Sequence, residues 1–327
     1  MIDGAKLKKF ISLLKDAQSV ALICHVNPDC DTLGSALALR RVLLKLNVPA
    51  DVFCDDNPPA KFSFLPDMNT VNSGNLSRYE AAIAVDCSAV DRFVVSGKYF
   101  KHAKVKLVVD HHKTNDSFAD YTLCDPDAAA TAEIVFAIIR KMEVFYVSDL
   151  LDDETAHLLY AALVTDSGCF SFSNTRSETF NAASELKRFN FNAAEVAFKL
   201  IKEQTVSVFR LKARVLSAAK FFNDDRIGLI VFKQAYFKET GTEINNTEGI
   251  INEIINIDSV QLAVAVTEVY DKYFKVSFRT KAPYDASECA SAFGGGGHNR
   301  AAGCTVSGYF EDVLDKILKV GRDLINA

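Results

Sequence analysis

The chain has 327 residues, 49% of them hydrophobic and 24% charged, with a net charge of −5; this is the balance of a globular protein with room for two separate cores. The acidic balance argues against a broad basic surface for long nucleic acid but allows a local pocket for a short anion. No apolar run approaches the ~18 residues of a membrane span, and Lys15 and Asp16 interrupt the only early apolar stretch, residues 10–14, so neither membrane contact nor a signal peptide is predicted and the expected location is cytoplasmic.

In chain order, strand-like runs fall at residues 20–26, 50–54, 81–86 and 106–110, with helical patterns between or after them, notably 34–46 and 129–142. Alternating strands and helices predict an α/β fold with a doubly wound, mainly parallel sheet. Helices are expected at 153–164, 178–188 and 193–202, then at 206–222 as a link between domains. The pattern restarts with a strand at 227–232, a helix at 248–255, strands at 261–270 and 274–280, and a last helix at 310–325. This predicts a first domain over residues 1–190, a helical linker over 191–220 and a smaller α/β domain over 221–327. The eight cysteines (Cys24, Cys30, Cys54, Cys87, Cys124, Cys169, Cys289 and Cys304) contain no Cys-x-x-Cys pair. A zinc ribbon, a thioredoxin-like motif and a disulfide framework are therefore not predicted, and most of these residues read as small hydrophobes.

Three of the predicted strands end in ligand-type side chains: "ALICHVNPDCD" in His25, Asp29 and Asp31, "AAIAVDCS" in Asp86, and "KLVVDHHKTN" in Asp110, His111 and His112. Asp166 ends a further apolar stretch, "HLLYAALVTDSG". One aspartate after a strand is ordinarily a turn or helix cap, and paired histidines are ordinarily solvated. A parallel sheet, however, brings the carboxyl ends of its strands to one rim, where several carboxylates would raise one another's pKa and oppose folding. Divalent cations resolve that conflict. Asp29, Asp31, Asp86 and Asp166 balance two such ions, and mixed carboxylate and imidazole ligands favour manganese or a similar ion over magnesium. Two metals ~3.5–4 Å apart are a common arrangement for phosphate-ester hydrolysis.

The segments "HVNPDCDTLGS", "AVDCS", "VVDHHKTN" and "LVTDSGCFSFSNT" resemble the four motifs of the DHH phosphoesterases, and "KVSFRT" with "SAFGGGGHNRAAGC" resembles the DHHA1 domain that follows them. The two-domain layout is similar to the nanoRNase-type oligoribonucleases that also act as pAp phosphatases. The resemblance implies two divalent ions, most plausibly Mn²⁺ with Mg²⁺ or Co²⁺ as alternatives, and an active site between the two domains. It implies substrates such as short RNA, pApA-like dinucleotides and 3′-phosphoadenosine 5′-phosphate, with a homodimer as an open possibility. By motif, His25, Asp29 and Asp86 would hold one ion, and Asp31, Asp86, His111 and Asp166 the other. His112 would face the substrate, with Asp110 orienting an imidazole. Three positions depart from the family pattern: Ser171 stands where many relatives have a basic residue, Thr280 where Ser is usual, and Cys30 where Gly or Ala is commoner.

The run "GGGGHNR" reads on its own as a flexible loop, but consecutive glycines cost roughly 0.5–1 kcal/mol each in ordered structure and suit a close backbone approach to an anion. Gly295, Gly296, Gly297 and His298 are thus candidate substrate contacts. Arg279, on the strand before them, and more weakly Arg300, suit a second phosphate, because a guanidinium binds two oxygens at once. His102 and His157 fall outside every motif and read as structural or solvated. Hydrolysis of pyrophosphate or polyphosphate, and a non-catalytic RNA-binding module, are the competing readings.

Overall fold

The structure is a computed structural model and describes residues 2–326. Two compact units divide the chain between Glu203 and Gln204.

The first unit contains α1 (Gly4–Leu14), β1 (Val20–Cys24), α2 (Cys30–Lys45), β2 (Ala50–Phe53), β3 (Ala81–Val85), α3 (Gly97–His102), β4 (Val105–Asp110), β5 (Tyr121–Cys124), α4 (Thr131–Tyr146), α5 (Asp153–Asp166), α6 (Ser177–Leu186) and α7 (Ala193–Ala197). Its five strands pair in the order β2-β1-β3-β4-β5, and every pairing is parallel. In this order the winding of the chain across the sheet reverses between β1 and β3, and such a switch in strand order opens a crevice at the strands' carboxyl ends. Alternate strand residues serve two cores. Leu22, Ile83, Val85, Leu107 and Val109 pack with α1, α2, α4 and α5 on one face; Ile23, Ala82, Ala84 and Val108 pack with Phe93, Phe100 and Ala103 on the other. Such strands are buried throughout, which is why β1 and β3 read as unbroken apolar runs.

The second unit contains α8 (Val206–Leu216), β6 (Lys220–Phe222), β7 (Ile227–Phe232), α9 (Gln234–Thr240), α10 (Ile250–Ile255), β8 (Leu262–Tyr270), β9 (Tyr273–Thr280), α11 (Ala286–Ser291), β10 (Gly296–His298), β11 (Ala301–Ser307) and α12 (Phe310–Asn326). The sheet order is β10-β11-β9-β8-β7-β6. Only β7 and β8 run parallel; the other neighbours are antiparallel. The faces are covered by α11 and α12 on one side and by α8, α9 and α10 on the other.

The long elements match the sequence expectation, and the differences are local. The helix expected over 206–222 ends at Leu216, and residues 220–222 form β6 on the sheet edge. The expected linker segment is shared between the units: Val196 packs in the first core and Leu211 and Val215 in the second. Short β5, α9 and α11 carry too few residues to show a period. Helix α2 begins at Cys30, four residues earlier than its apolar periodicity suggests, because Asp29 caps it through the amides of Asp31 and Thr32. Six cysteines are buried and all eight are free.

Helices α2 and α5 meet at Gly34, where a Cβ would lie 2.8 Å from the Leu158 carbonyl oxygen and 3.2 Å from Ala162 Cβ. Gly34→Ala should therefore destabilise the unit, since overpacking of this kind typically costs ~1–3 kcal/mol and outweighs the ~0.5–1 kcal/mol that alanine contributes to a helix. A fall of a few degrees in Tm is expected in calorimetry, and an unchanged or raised Tm would show that the helices separate freely.

Candidate metal centre

The carboxyl ends of β1, β3 and β4, the first turn of α2 and the last turn of α5 place six predicted ligands together. His25 Nε2 lies 3.7 Å from Asp29 Oδ2 and 3.5 Å from Asp86 Oδ2. His111 Nε2 lies 3.9 Å from Asp31 Oδ2, 3.6 Å from Asp86 Oδ1 and 3.5 Å from Asp166 Oδ2. Among the described residues, three overlapping groups could each hold an ion: His25, Asp29 and Asp86; Asp31, His111 and Asp166; and Asp86, His111 and His112. Asp86 offers one oxygen toward each imidazole.

These separations are long for hydrogen bonds, yet they are close to what atoms sharing one cation at about 2.0–2.2 Å would show. The backbone aims them. Asp86 sits at φ +59° directly after β3, a strained conformation for a residue with a Cβ, and its amide donates to the Val109 carbonyl at 2.8 Å. One Asp29 oxygen is used by the α2 cap, with the amides of Asp31 and Thr32 each at 3.0 Å, which leaves Oδ2 for His25. Asp31 is completely buried. It accepts from the amides of Thr131 at 2.6 Å and Ala132 at 3.0 Å and from Ser35 Oγ at 3.2 Å. It thereby caps α4, whose own N-cap, Ala130, has no side-chain acceptor. The Thr131 hydroxyl also donates to Asp86 Oδ1 at 2.8 Å.

Each imidazole is fixed through Nδ1. His25 Nδ1 bonds the Val26 carbonyl at 2.7 Å and His111 Nδ1 the Ala128 carbonyl at 3.1 Å. A carbonyl only accepts, so Nδ1 carries the proton and Nε2 keeps its lone pair for a cation. His112 differs: its Nδ1 lies 2.6 Å from Asp110 Oδ1, and Asn115 Nδ2 donates to Asp110 Oδ2 at 2.7 Å. Both oxygens of Asp110 are therefore occupied, and His112 Nε2 is left free.

The charges show what the site is suited to hold. Burial and the neighbouring carboxylates Asp86, Asp166 and Asp29 push the Asp31 carboxyl well above its usual range. Burial and Asp29 and Asp86 do the same to Asp166. Burial also works against ionised Asp86, but His25, His111 and His112 outweigh it and hold its pKa low. Burial disfavours the His25 imidazolium, and Asp29 and Asp86 reverse this and raise it to about 11. Without a cation, protons must occupy the gaps between these oxygens and nitrogens. The donor set fits a divalent ion, and mixed carboxylate and imidazole ligands suit first-row metals.

The predicted substrate residues all lie in the second unit. The expected loop at Gly296 is the edge strand β10, paired antiparallel with β11. Two glycines of the run, Gly295 and Gly297, are required by packing, while a Cβ at Gly296 would meet open space. A Cβ at Gly295 would lie 2.3 Å from the Gly303 carbonyl oxygen, and one at Gly297, where φ is +148°, would lie 2.5 Å from that of Ala301. His298 is exposed. Arg300 is also exposed and donates to the Tyr284 carbonyl at 2.6 Å. Arg279, on β9, pairs in register with Ala301 of β11. It is partly buried, donates to the Phe278 carbonyl at 3.0 Å, and burial lowers its pKa. Thr280 holds the hairpin through the carbonyls of Tyr284 and Asn299, Cys30 fits fully buried, and Ser171 Oγ donates to Gly168 O at 2.5 Å. His102 is exposed against Lys98 O, and His157 stacks on Phe191; neither is in the centre. The sequence reading missed Ser35 and Thr131, which bond the predicted ligands Asp31 and Asp86, and Asn115, which holds Asp110. Thr131 alone left a trace, as a hydroxyl residue opening the apolar run of α4.

Comparison with known proteins now defines the class. Residues 19–163 match the DHH family, N-terminal domain, and residues 230–327 match the DHHA1 domain. The chain belongs to the DHH phosphoesterase family. Among its relatives, the bifunctional oligoribonuclease and PAP phosphatase NrnA of Bacillus subtilis is 25% identical over 92% of this chain and 92% of its own. The protein of the same description from Thermus thermophilus is 28% identical over 97% and 94%. The crystal structure of an exopolyphosphatase-related protein from Bacteroides fragilis superposes with a TM-score of 0.90 at 23% identity, covering 98% of this chain and 96% of that one, and shares the fold. No helix among the described residues is long and apolar enough to cross a membrane.

Divalent cation should stabilise the chelator-treated protein, because it replaces protons among buried carboxylates. Mn²⁺ at a hundredfold its Kd contributes ~2.7 kcal/mol, or roughly 5–11 °C in Tm for a domain of this size. Asp86→Ala should abolish this gain more completely than Asp29→Ala, since Asp86 faces both imidazoles. Equal losses in a titration with Mn²⁺ would show that Asp86 does not serve both groups.

Proposed function

We propose that the protein is a phosphoesterase that uses two divalent ions, Mn²⁺ foremost, to hydrolyse short oligoribonucleotides and linear dinucleotides and to remove the 3′-phosphate of 3′-phosphoadenosine 5′-phosphate. What carries this reading is the match along nearly the whole of both chains to the relatives described as oligoribonuclease and PAP phosphatase, supported by a donor set with no predicted ligand missing.

His25, Asp29 and Asp86 would hold one ion, and Asp31, Asp86, His111 and Asp166 the other. Bound ions of this kind supply Lewis-acid polarisation of the phosphate and a water of lowered pKa. The chain's own residues do the rest. His112 offers Nε2 to a phosphate oxygen. The hydrogen bond that His112 donates to Asp110 raises the His112 pKa against the effect of burial, which favours a proton held at Nε2. Burial works against the Asp110 charge, but His112 and Asn115 keep the carboxylate ionised, so it orients the imidazole and balances its charge. In the second unit, Arg279 has no carboxylate partner among the described residues, and with His298, Arg300 and the backbone of Gly295, Gly296 and Gly297 it is assigned to a phosphate remote from the scissile bond.

Chelation should abolish hydrolysis and Mn²⁺ should restore it; full activity in excess chelator would overturn the mechanism. Short substrates should be turned over faster than 20-mers, because an acidic chain gains little from many phosphates, and a preference for polyphosphate would contradict the assignment. Asp31→Ala should abolish hydrolysis of every ester. Arg279→Ala should lower kcat/KM on 3′-phosphoadenosine 5′-phosphate by roughly 10- to 150-fold, the worth of a charge-assisted contact, and by much less on a small chromogenic ester without the second phosphate. Parallel losses on both substrates would place Arg279 in the chemistry or in folding.

A further inference from the structure

The turn after Asp166 is strained, firmly held and exposes an aromatic ring. Gly168, Cys169 and Phe170 are consecutive left-handed residues at φ +55°, +55° and +63°, although only the first is a glycine. Such strain persists where the surroundings over-determine it, and here they do. Cys169 N donates to Val164 O at 2.7 Å and Phe172 N to Ser167 O at 3.0 Å. Phe170 N donates to Ser167 Oγ at 3.0 Å, and Asn174 Nδ2 reaches the carbonyls of Ala129 at 3.1 Å and Asp166 at 3.2 Å.

Two phenylalanines of this turn have opposite fates. Phe170 packs between Tyr160, at 6.2 Å, and Phe180, at 5.5 Å. Phe172 has no aromatic partner among the described residues, and 54% of it is exposed. Its ring lies against Gly168, where a Cβ would come within 2.5 Å of Cε1 and Cζ. Core formation does not account for a ring held outward in this way. Ser171 beside it brings no charge, so the turn from Gly168 to Phe172 offers an aromatic ring and no charged side chain.

We propose that Phe172 is the platform on which a nucleobase of the substrate stacks while the adjoining phosphate occupies the centre at Asp86 and Asp166. One ribose separates base from phosphate, and one tight turn separates Phe172 from Asp166. Stacking on an aromatic ring accepts any base, because each presents a π-face. The inference rests on the phosphoesterase reading and adds to it a determinant that selects nucleotides over base-free phosphates.

The test uses the Mn²⁺-loaded full chain and 2-aminopurine ribonucleoside 5′-monophosphate, a product-like probe whose fluorescence is quenched by stacking. Binding with quenching is expected for the wild type, with Kd raised roughly 5- to 150-fold in Phe172→Ala, the range for loss of one stacked base. Phe172→Leu, which keeps an apolar side chain of similar bulk, should be similarly weakened, while Phe172→Trp and Phe172→Tyr should bind and quench. In catalysis, the kcat/KM ratio of a dinucleotide to its abasic analogue should fall by the same factor in Phe172→Ala. Binding without quenching in the wild type, or equal affinity in Phe172→Ala, would overturn the proposal. So would parallel losses on the dinucleotide and its abasic analogue together with weakened Mn²⁺ binding, which would make Phe172 a prop for the turn. If the wild type binds and quenches the probe but cleaves no phosphoester, the catalytic reading fails while the stacking assignment stands.

Discussion

The structure depends on a crowding of carboxylates that no ordinary core would accept. Asp31, Asp86 and Asp110 are buried at the rim of one sheet, with Asp166 beside them, and like charges so placed oppose folding. Hydrogen-bond donors offset part of this cost. Helix α4 points its N-terminus at Asp31, where its unpaired amides and the positive end of its dipole favour an anion. Thr131 divides its two donors between Asp31 and Asp86. Three imidazoles then face Asp86. The remaining imbalance, visible in the raised pKa of Asp31 and Asp166, is what a pair of cations would remove.

That arrangement constrains elements remote from the chemistry. α4 must start at one place, and Glu133 in its first turn helps to fix it. Glu133 Oε2 accepts from the Ala129 amide and the Thr179 hydroxyl, and Oε1 accepts from Arg176, which also pairs with Asp125. A buried network of this kind is stable only when each member has its partners, and it links α4, α6 and the segment after β5. Gly34 plays the corresponding part between α2 and α5, letting the helices that carry Asp31 and Asp166 approach closely.

What could be read from the sequence follows physical range. The long helices and buried strands declared themselves by period and by unbroken apolar runs, and the ligands by their chemistry at strand ends, since a parallel sheet collects such ends without knowledge of any contact. The role of Thr131 was not legible because it depends on contacts between residues far apart in sequence, such as the 100-residue separation from Asp31. Ser35 and Asn115 bond neighbours in sequence but carry side chains common in any loop or helix. The glycine run was legible as a special backbone but not as a hairpin: Gly295 and Gly297 are small because β11 carbonyls lie against them, and only pairing reveals that. Residues 220–222 extend a helical pattern in composition, and the edge of a sheet overrode it.

The adjacent His111 and His112, proposed as a metal ligand and a proton carrier, differ in what lies behind each ring. They share a residue type and a loop, and their rings are 5.0 Å apart. His111 donates its Nδ1–H to a backbone carbonyl, an acceptor without charge, which leaves the Nε2 side of the ring facing the carboxylates. His112 gives its own to the Asp110 carboxylate, which favours the imidazolium and with it a proton at Nε2. Asp110 and Asp86 diverge by the same logic, although each ends a neighbouring strand. The oxygens of Asp110 are taken by His112 and Asn115, whereas those of Asp86, one of which also accepts from the Thr131 hydroxyl, face His25 and His111 at distances too long for good hydrogen bonds. Residue type brings these groups to the rim, and the partner at the far side of each ring or carboxylate sets which of its donor atoms remain open.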